Sequence, residues 1–466
     1  MSREYDFVVI GGGSAGYAAA RTAAAAGLRT AVIDGAETLG GLCILRGCMP
    51  SKALIESANR NLVIRRAEAF GLKADAGAAN VKAIRDRKRV LIDDFAGFRQ
   101  GQLQDGRFDL IRGVAAFADA HRLTVRLREG GQEEVVFRSA CIATGSKVSV
   151  PPIPGLVETG FWTSDDILDT ESLPKSFIVL GGGAIALEMT HYLEALGKTV
   201  TLIQRSSRLL NFMDTECGEA VAAEFVDRGV SVHCGTKILS VQQSPAGKTI
   251  TFEHEGEVKM VTADELLLAT GRAANLDGLQ LERAGVHVHH GKIQTSGTMQ
   301  TTAAHIFAAG DVVDSMDVVH IAIQEGEIAA RNASALIKSN APSEEIDYRL
   351  TLFGVFCDPQ VAGVGASEAE LTAKGIPFAT ASYPFNDHGK SMIMGVKHGF
   401  VKMIAHRETG EILGASVVGP EATELIHEVV VAMSFRSTVK QFMAIPHYHP
   451  TLSEIWTYPA EELADG

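Results

Sequence analysis

YDFVVIGGGSAGYAAARTAAAAGLRTAVID, residues 5–34, decides the fold. An apolar run of strand formers ends in three glycines, an alanine-rich stretch follows, and a second apolar run, TAVID, ends in an acid. Strand, glycine turn, helix and strand make a βαβ unit. Gly11, Gly13 and Gly16 spell G-x-G-x-x-G between strand and helix, where the backbone can approach a pyrophosphate held at a helix N-terminus. Asp34 stands 21 residues past Gly13, where a carboxylate accepts from ribose hydroxyls. A plain glycine turn would need neither the helix nor the acid.

Outward from there, SFIVLGGGAIALEMTHYLEALGKTVTLIQRSSR at 176–208 repeats the pattern with Gly181, Gly183 and Ala186. Each copy is followed by a strand ending alike, CIATGS at 141–146 and LLLATGR at 266–272, so two nucleotide-binding folds are expected. The second copy's strand ends in Gln204 rather than an acid, followed by Arg205 and Arg208. Cations there suit a 2′-phosphate that an acid would repel, so NADPH is favoured over NADH. The plainer reading of the two arginines is a solvated loop. Pro-rich PPIPG at 151–155 reads as a linker and LPKS at 173–176 as the start of the second sheet. Beyond TTAAHIFAAGD at 301–311, a helical stretch runs to about residue 340. The alternating YRLTLFGVFCDPQVAGVG then calls for an antiparallel sheet, and ATELIHEVVVAMSF at 422–435 for a helix.

At 466 residues the chain exceeds one hydrophobic core. With 46% apolar and 21% charged residues it is of globular type, and no apolar run reaches the roughly 18 residues of a membrane helix. The start lacks the features of a secretory signal, so the expectation is a cytoplasmic protein. A net charge of −13 without blocks of one sign disfavours a nucleic-acid surface. Six cysteines in so long a chain are no disulfide framework, and only Cys43 and Cys48 lie close together.

Those two stand in GGLCILRGCMPSK, residues 40–52. Five positions along a regular helix would separate them by roughly 7–8 Å along the axis and turn them to nearly opposite sides. A disulfide needs Cα atoms closer than that, so the chain is expected to bend, with Gly47 permitting it and Pro50 suiting the first turn of the next helix. A metal is disfavoured because no second Cys or His pair lies at ligand spacing. HVHHG at 287–291 carries His287, His289 and His290 but reads as a solvated face, and His447 as a surface histidine in a Pro turn.

The cysteine pair together with both fingerprints resembles the pyridine nucleotide–disulfide oxidoreductases, which include dihydrolipoyl dehydrogenase, glutathione reductase and mercuric reductase. The resemblance covers essentially the whole chain. It implies an α/β fold of two Rossmann-like dinucleotide-binding domains plus a C-terminal α+β dimerisation domain. The implied division is 1–149 for the first part of an FAD-binding domain, 150–272 for an NAD(P)-binding domain, 273–344 for the second, central part of the FAD domain, and 345–466 for dimerisation. It further implies that Cys48 is the thiolate in charge transfer with the flavin and Cys43 the interchange thiol. By the same resemblance Lys52 lies by the flavin and pairs with Glu188. FAD is expected to be bound by Gly11, Gly13, Ser14, Ala15, Gly16, Asp34, Gly41, Lys52, Ala115, Thr144, Gly145, Ser146, Gly310 and Asp311, with Val319 and His320 beside it. The nicotinamide dinucleotide is expected to be bound by Gly181, Gly183, Ala184, Ile185, Glu188, Gln204, Arg205, Arg208 and Gly271. Ala184 stands where the family has a bulky gating residue, so the gate is expected to be absent.

HYHPTLSE at 447–454 resembles the family's H-P-T-x-x-E motif. It makes His449 the acid/base for the cysteines and Glu454 the residue that orients it, with a cis His449–Pro450 peptide. By the same resemblance this segment reaches the other subunit's site, so the active unit is a homodimer.

The substrate is left open among relatives. Ser14 and Arg21 match substrate-side positions of glutathione reductase, yet Glu327 stands where that enzyme has a second arginine. ATELIHE with HPTLSE looks more like dihydrolipoyl dehydrogenase, which uses NAD and has a glutamate where this chain has Gln204. Mercuric reductase is disfavoured because WTYPAEELADG at the C-terminus has no cysteine pair. A dihydrolipoyl dehydrogenase-like enzyme ranks first and an NADPH-dependent reductase of a low-molecular-weight disulfide second. A non-turnover FAD-binding redox sensor ranks last, since none of the Cys, His and Glu positions is broken.

Overall fold

The computed structural model describes residues 2–465, and the chain divides into two compact units, each drawn from separated stretches.

The first unit comprises Met1–Pro50, Arg87–Ser149 and Arg272–Asp347. Its centre is a parallel sheet in which Ser2–Ile10 lies between Thr30–Asp34 and Gln132–Ile142. Asp109–Asp119 extends it on one side and Ile306–Ala308 on the other. Every residue of TAVID is buried, as expected of a strand covered on both faces. The second half of Asp109–Asp119, past its parallel pairing, and the first half of Gln132–Ile142, which stays paired with Ser2–Tyr5 on its other side, hold Arg122–Leu127 between them as antiparallel partners. The alanines explain how tightly the first helix, Ser14–Ala25, is covered: Ala15, Ala18, Ala19, Ala20 and Ala23 are all buried in it. With no long side chains to hold it off, the helix Val319–Ile337 comes close enough that a Cβ on Gly326 would fall 2.2 Å from the Ala15 carbonyl oxygen.

The second unit comprises Ser51–Asp86, Val150–Gly271 and Tyr348–Gly466. It holds a parallel sheet ordered Glu265–Leu268, Ser176–Leu180, Thr199–Ile203, Ser231–His233, the second nucleotide-binding fold. A three-stranded antiparallel sheet, Lys237–Ser244, Gly247–His254 and Glu257–Ala263, is inserted before its last strand. The alternating pattern after residue 350 becomes a five-stranded antiparallel sheet running from Leu352–Val355 to Phe378–Pro384. The helices Ala422–Ser434 and Thr457–Asp465 share its core, where Trp456, Phe442 and Phe385 are fully buried. No helix among the described residues is long and apolar enough to cross a membrane.

Candidate active site

In the first unit the helix Ser14–Ala25 starts at Gly13 without a side-chain cap, so its first N–H groups point out of the glycine loop. Asp34 lies across that loop: one carboxylate oxygen accepts from Gly12 N–H and the other from Ala36 N–H, each at 2.8 Å. A donor-rich helix start beside a fixed, nearly buried carboxylate fits the pyrophosphate and ribose of a dinucleotide.

The cysteine segment is packed onto this loop. Gly41 has φ of +78°, and a Cβ there would lie 2.7 Å from the Gly13 Cα, so only glycine allows the approach. Cys43 sits on the short helix Gly41–Leu45, and Cys48 opens the next, Cys48–Arg65, so the expected bend falls between them. Gly47 serves it through space rather than through an unusual dihedral, since a Cβ there would press on the Leu42 carbonyl oxygen at 3.1 Å and the Cys43 Cα at 3.2 Å. Both cysteines are half-buried, unlike Cys141, Cys217 and Cys357. Burial pushes the Cys141 and Cys217 thiols up to about 12, which leaves them protonated and inert.

Behind the loop, Asp311 accepts from the Ser146 hydroxyl, which in turn accepts from Arg272 Nε at 2.7 Å. Gly310 N–H donates to the fully buried Glu325 at 2.6 Å. Thr144 Oγ1 donates to the Asn275 carbonyl at 2.7 Å, and Asn275 N–H donates to the Gly145 carbonyl at 2.8 Å. Val319 and His320 open the helix Val319–Ile337. The Ala115 side chain is buried within the sheet, which leaves only its main chain for a ligand.

In the second unit Lys52 Nζ donates to both oxygens of Glu188, at 2.8 and 2.9 Å. Glu188 is nearly buried on the helix Ala184–Ala195, which Ala184 and Ile185 open and which Gly183 leaves without a side-chain cap. Phe356 completes this pair: its N–H donates to Glu188 at 3.1 Å and its ring lies 4.7 Å from Lys52 Nζ. At Gly182 a Cβ would meet the Gln204 side chain at 2.8 Å, so Gln204 covers the second glycine loop much as Asp34 covers the first. Gly271 closes the strand loop on the same sheet with φ of +122°.

The two arginines behind Gln204 have different fates. Arg208 donates to Thr215 Oγ1 at 2.7 Å and to the Asn211 and Met213 carbonyls, so both its terminal nitrogens are held by its own loop, while its buried Nε has no partner among the described residues. Arg205 is exposed, and its guanidinium has no partner among the described residues.

His449 is exposed, its peptide to Pro450 is cis, and its Nδ1 lies 2.9 and 3.1 Å from the two oxygens of Glu454. A carboxylate can only accept, so Nδ1 carries the proton and Nε2 is left as the reactive nitrogen. His447 departs from expectation. Its side chain is 7% exposed, bonded to the Ile445 carbonyl at 2.9 Å and Glu428 at 2.5 Å, and it packs on Phe442. His287, His289 and His290 lie exposed around a two-stranded turn, and no metal-ligand cluster occurs among the described residues.

Glu325, Phe356 and the buried His388 are partners of Gly310, Glu188 and Glu454 that sequence reasoning passed over. An acid inside the apolar run IAIQEGEIAA was the one signal for Glu325; a main-chain donor such as Phe356 leaves none.

Two uncapped glycine-loop helices, each with a polar side chain over its loop, and a close cysteine pair packed on the first of them define a flavin- and nicotinamide-dependent disulfide oxidoreductase. Residues 5–326 match the model of the pyridine nucleotide-disulphide oxidoreductases and residues 353–460 that of their dimerisation domain, and the chain belongs to this family. It is 33% identical over 466 residues to a dihydrolipoyl dehydrogenase of Bacillus subtilis, covering 97% of each chain. It is also 33% identical to the dihydrolipoyl dehydrogenase of Mycobacterium leprae, over 97% of this chain and 96% of that one. Among solved structures it is similar to LpdA of Mycobacterium tuberculosis, with 28% identity, TM-score 0.85, and 98% and 99% of the two chains covered. A Cu(II) complex of the HOCl-induced flavoprotein disulfide reductase RclA of Escherichia coli matches with 26% identity, TM-score 0.84 and 99% of both chains. The chain is thus a dihydrolipoyl dehydrogenase-like disulfide oxidoreductase that binds FAD and a pyridine nucleotide, and the dimerisation domain and relatives support a homodimer acting on a small-molecule disulfide.

Proposed function

We propose that the protein exchanges electrons between NADPH and a small dithiol or disulfide of the dihydrolipoyl type, through Cys43 and Cys48, in the cytoplasm. The observation that carries it is the packing of the cysteine segment on the pyrophosphate loop through Gly41 and Gly13. In this reading 1–149 and 273–344 hold FAD, 150–272 holds the nicotinamide dinucleotide, and 345–466 forms the dimer.

Bound FAD supplies the two-electron relay between the nicotinamide and the cysteine pair. Gly11, Gly13 and Gly16 would let the backbone close on its pyrophosphate, Asp34 would accept from its ribose, and Asp311 with Ser146 would hold its polar chain. Lys52, oriented by Glu188, would supply a cation to the flavin. The Cys43 thiolate attacks one sulfur of the substrate disulfide, and the S–S bond breaks as the mixed disulfide forms. His449 of the partner subunit gives its Nε2 proton to the departing thiolate, while Glu454 holds Nδ1 and balances the imidazolium. Cys48 thiolate then attacks the Cys43 sulfur, expelling the second thiolate, which takes its proton from solvent, and restoring the Cys43–Cys48 disulfide. Dithiol oxidation runs the same steps backwards, with His449 as base.

Gln204 in place of an acid and Arg205 exposed beside it support the 2′-phosphate. The expected result is a kcat/KM for NADPH about 10- to 100-fold above that for NADH, the worth of one charge-assisted bond to phosphate. Arg205→Leu should erase the margin. Equal or better kinetics with NADH in the unaltered protein would refute the preference. The substrate class is tested by a steady-state screen of lipoamide and oxidised glutathione with both nicotinamides. The glutathione-type reading is weakened by Arg21, which pairs with Glu327 and so has its charge satisfied within the chain.

A further inference from the structure

His388 and Ser391 are both completely buried polar side chains in the segment after the strand Phe378–Pro384. They are bonded to each other, Nδ1 to Oγ at 2.7 Å. His388 Nε2 lies 3.2 Å from Glu454 Oε1, the same carboxylate that holds His449. A chain of three groups therefore leads from the protein interior to an exposed imidazole: His388, Glu454, His449.

The donor directions in this chain follow from what each atom can do. If His388 carried its proton on Nδ1, its bare Nε2 would face an acceptor-only carboxylate, and two lone pairs would meet in a buried place. The arrangement without that conflict has Ser391 O–H donating to Nδ1 and Nε2–H donating to Glu454. The carboxylate then accepts from a buried donor that cannot move and from His449, which can. Such a carboxylate keeps one rotamer while His449 takes up and gives away its proton, and it divides its charge between two imidazoles instead of giving all of it to one.

We propose that His388, set in its tautomer by Ser391, is a positioning residue for the acid/base: it fixes Glu454 and lowers the proton affinity of His449. The inference rests on the assignment of His449 as that acid/base. The other ionisable groups packed around His388 are tyrosines and an acid in contact with one of them. The Tyr458 ring meets His388 edge-on at 6.1 Å, and Tyr383 stacks on Tyr458 at 4.0 Å. The Tyr383 hydroxyl is bonded to Asp387, and burial with that bond raises its pKa. Lys390, next but one in sequence, is half-buried.

The test compares His388→Leu, His388→Gln and Ser391→Ala in the flavin-loaded dimer, reading kcat against pH with lipoamide as substrate. Glutamine places its Nε2 donor where the imidazole Nε2 stands, whereas leucine fills the space without a donor. His388→Leu should lower kcat about tenfold, the worth of one hydrogen bond to a charged group, with KM for the nicotinamide unchanged. It should also move the His449 limb of the profile to higher pH, since Glu454 then gives its full charge to that imidazole. His388→Gln should restore both, and Ser391→Ala should shift the limb less far in the same direction. If folded, flavin-loaded His388→Leu keeps the parent profile, or His388→Gln is as impaired as His388→Leu, the residue is packing only and the inference falls. His449→Gln is run beside them: full turnover there would overturn the acid/base assignment itself, a different failure from an unmoved profile in His388→Leu.

Discussion

Cys43→Ser lowers disulfide turnover by about four orders of magnitude or more, to the background rate, while nicotinamide oxidation with an artificial dye acceptor persists. A serine hydroxyl is not ionised near neutrality and does not attack sulfur, so no mixed disulfide forms and nothing downstream can compensate. The dye takes its electrons without the cysteines, so its reduction separates loss of thiol chemistry from loss of the protein. Both activities are measured on one preparation with matched flavin content. Disulfide turnover above a hundredth of the parent rate in Cys43→Ser would remove Cys43 from the reaction.

His449→Gln has the second largest effect, a fall in kcat of about 10²- to 10⁴-fold, the usual worth of a positioned acid/base. Glutamine can keep a bond to Glu454 but cannot carry a proton to the departing thiolate. The loss should therefore be greatest for substrates whose thiol leaves poorly, and smallest for an aromatic disulfide whose thiolate needs no proton. Pre-steady-state reduction of the protein by NADPH should be unchanged, because His449 acts after the cysteine pair is reduced. A uniform loss across substrates, or slowed reduction by NADPH, would contradict the role.

What the sequence made legible was whatever lies within one turn, strand or loop. Gly11 to Gly16 with Asp34 spans a single βαβ unit, and Cys43 with Cys48 a single bend, so spacing and residue type carried both. Lys52 and Glu188 lie 136 positions apart. Only resemblance to a family could join them, and Phe356, which supports Glu188 through its main-chain N–H, was beyond any residue-type argument.

What was missed has the same cause. Arg208 looked like a phosphate ligand because it is a cation beside a nucleotide strand; nothing in the sequence showed that the carbonyls of Asn211 and Met213 also reach one of its terminal nitrogens. His447 looked exposed because prolines flank it, but Glu428 and Phe442, both distant in sequence or hidden by the turn, give it a buried, bonded place. His388, in PFNDHGKS, has no pattern around it at all; its meaning comes from Glu454, 66 positions away.

The most direct measurement is the anaerobic absorption spectrum with the flavin oxidised. A Cys48 thiolate beside it would give a long-wavelength band, which should appear in the parent on two-electron reduction, when the cysteine pair holds the electrons, stand without any reductant in Cys43→Ser, which cannot form the disulfide, and be missing from Cys48→Ser. A band that survives in Cys48→Ser, or vanishes in Cys43→Ser alone, would contradict the order in which the two cysteines pass electrons.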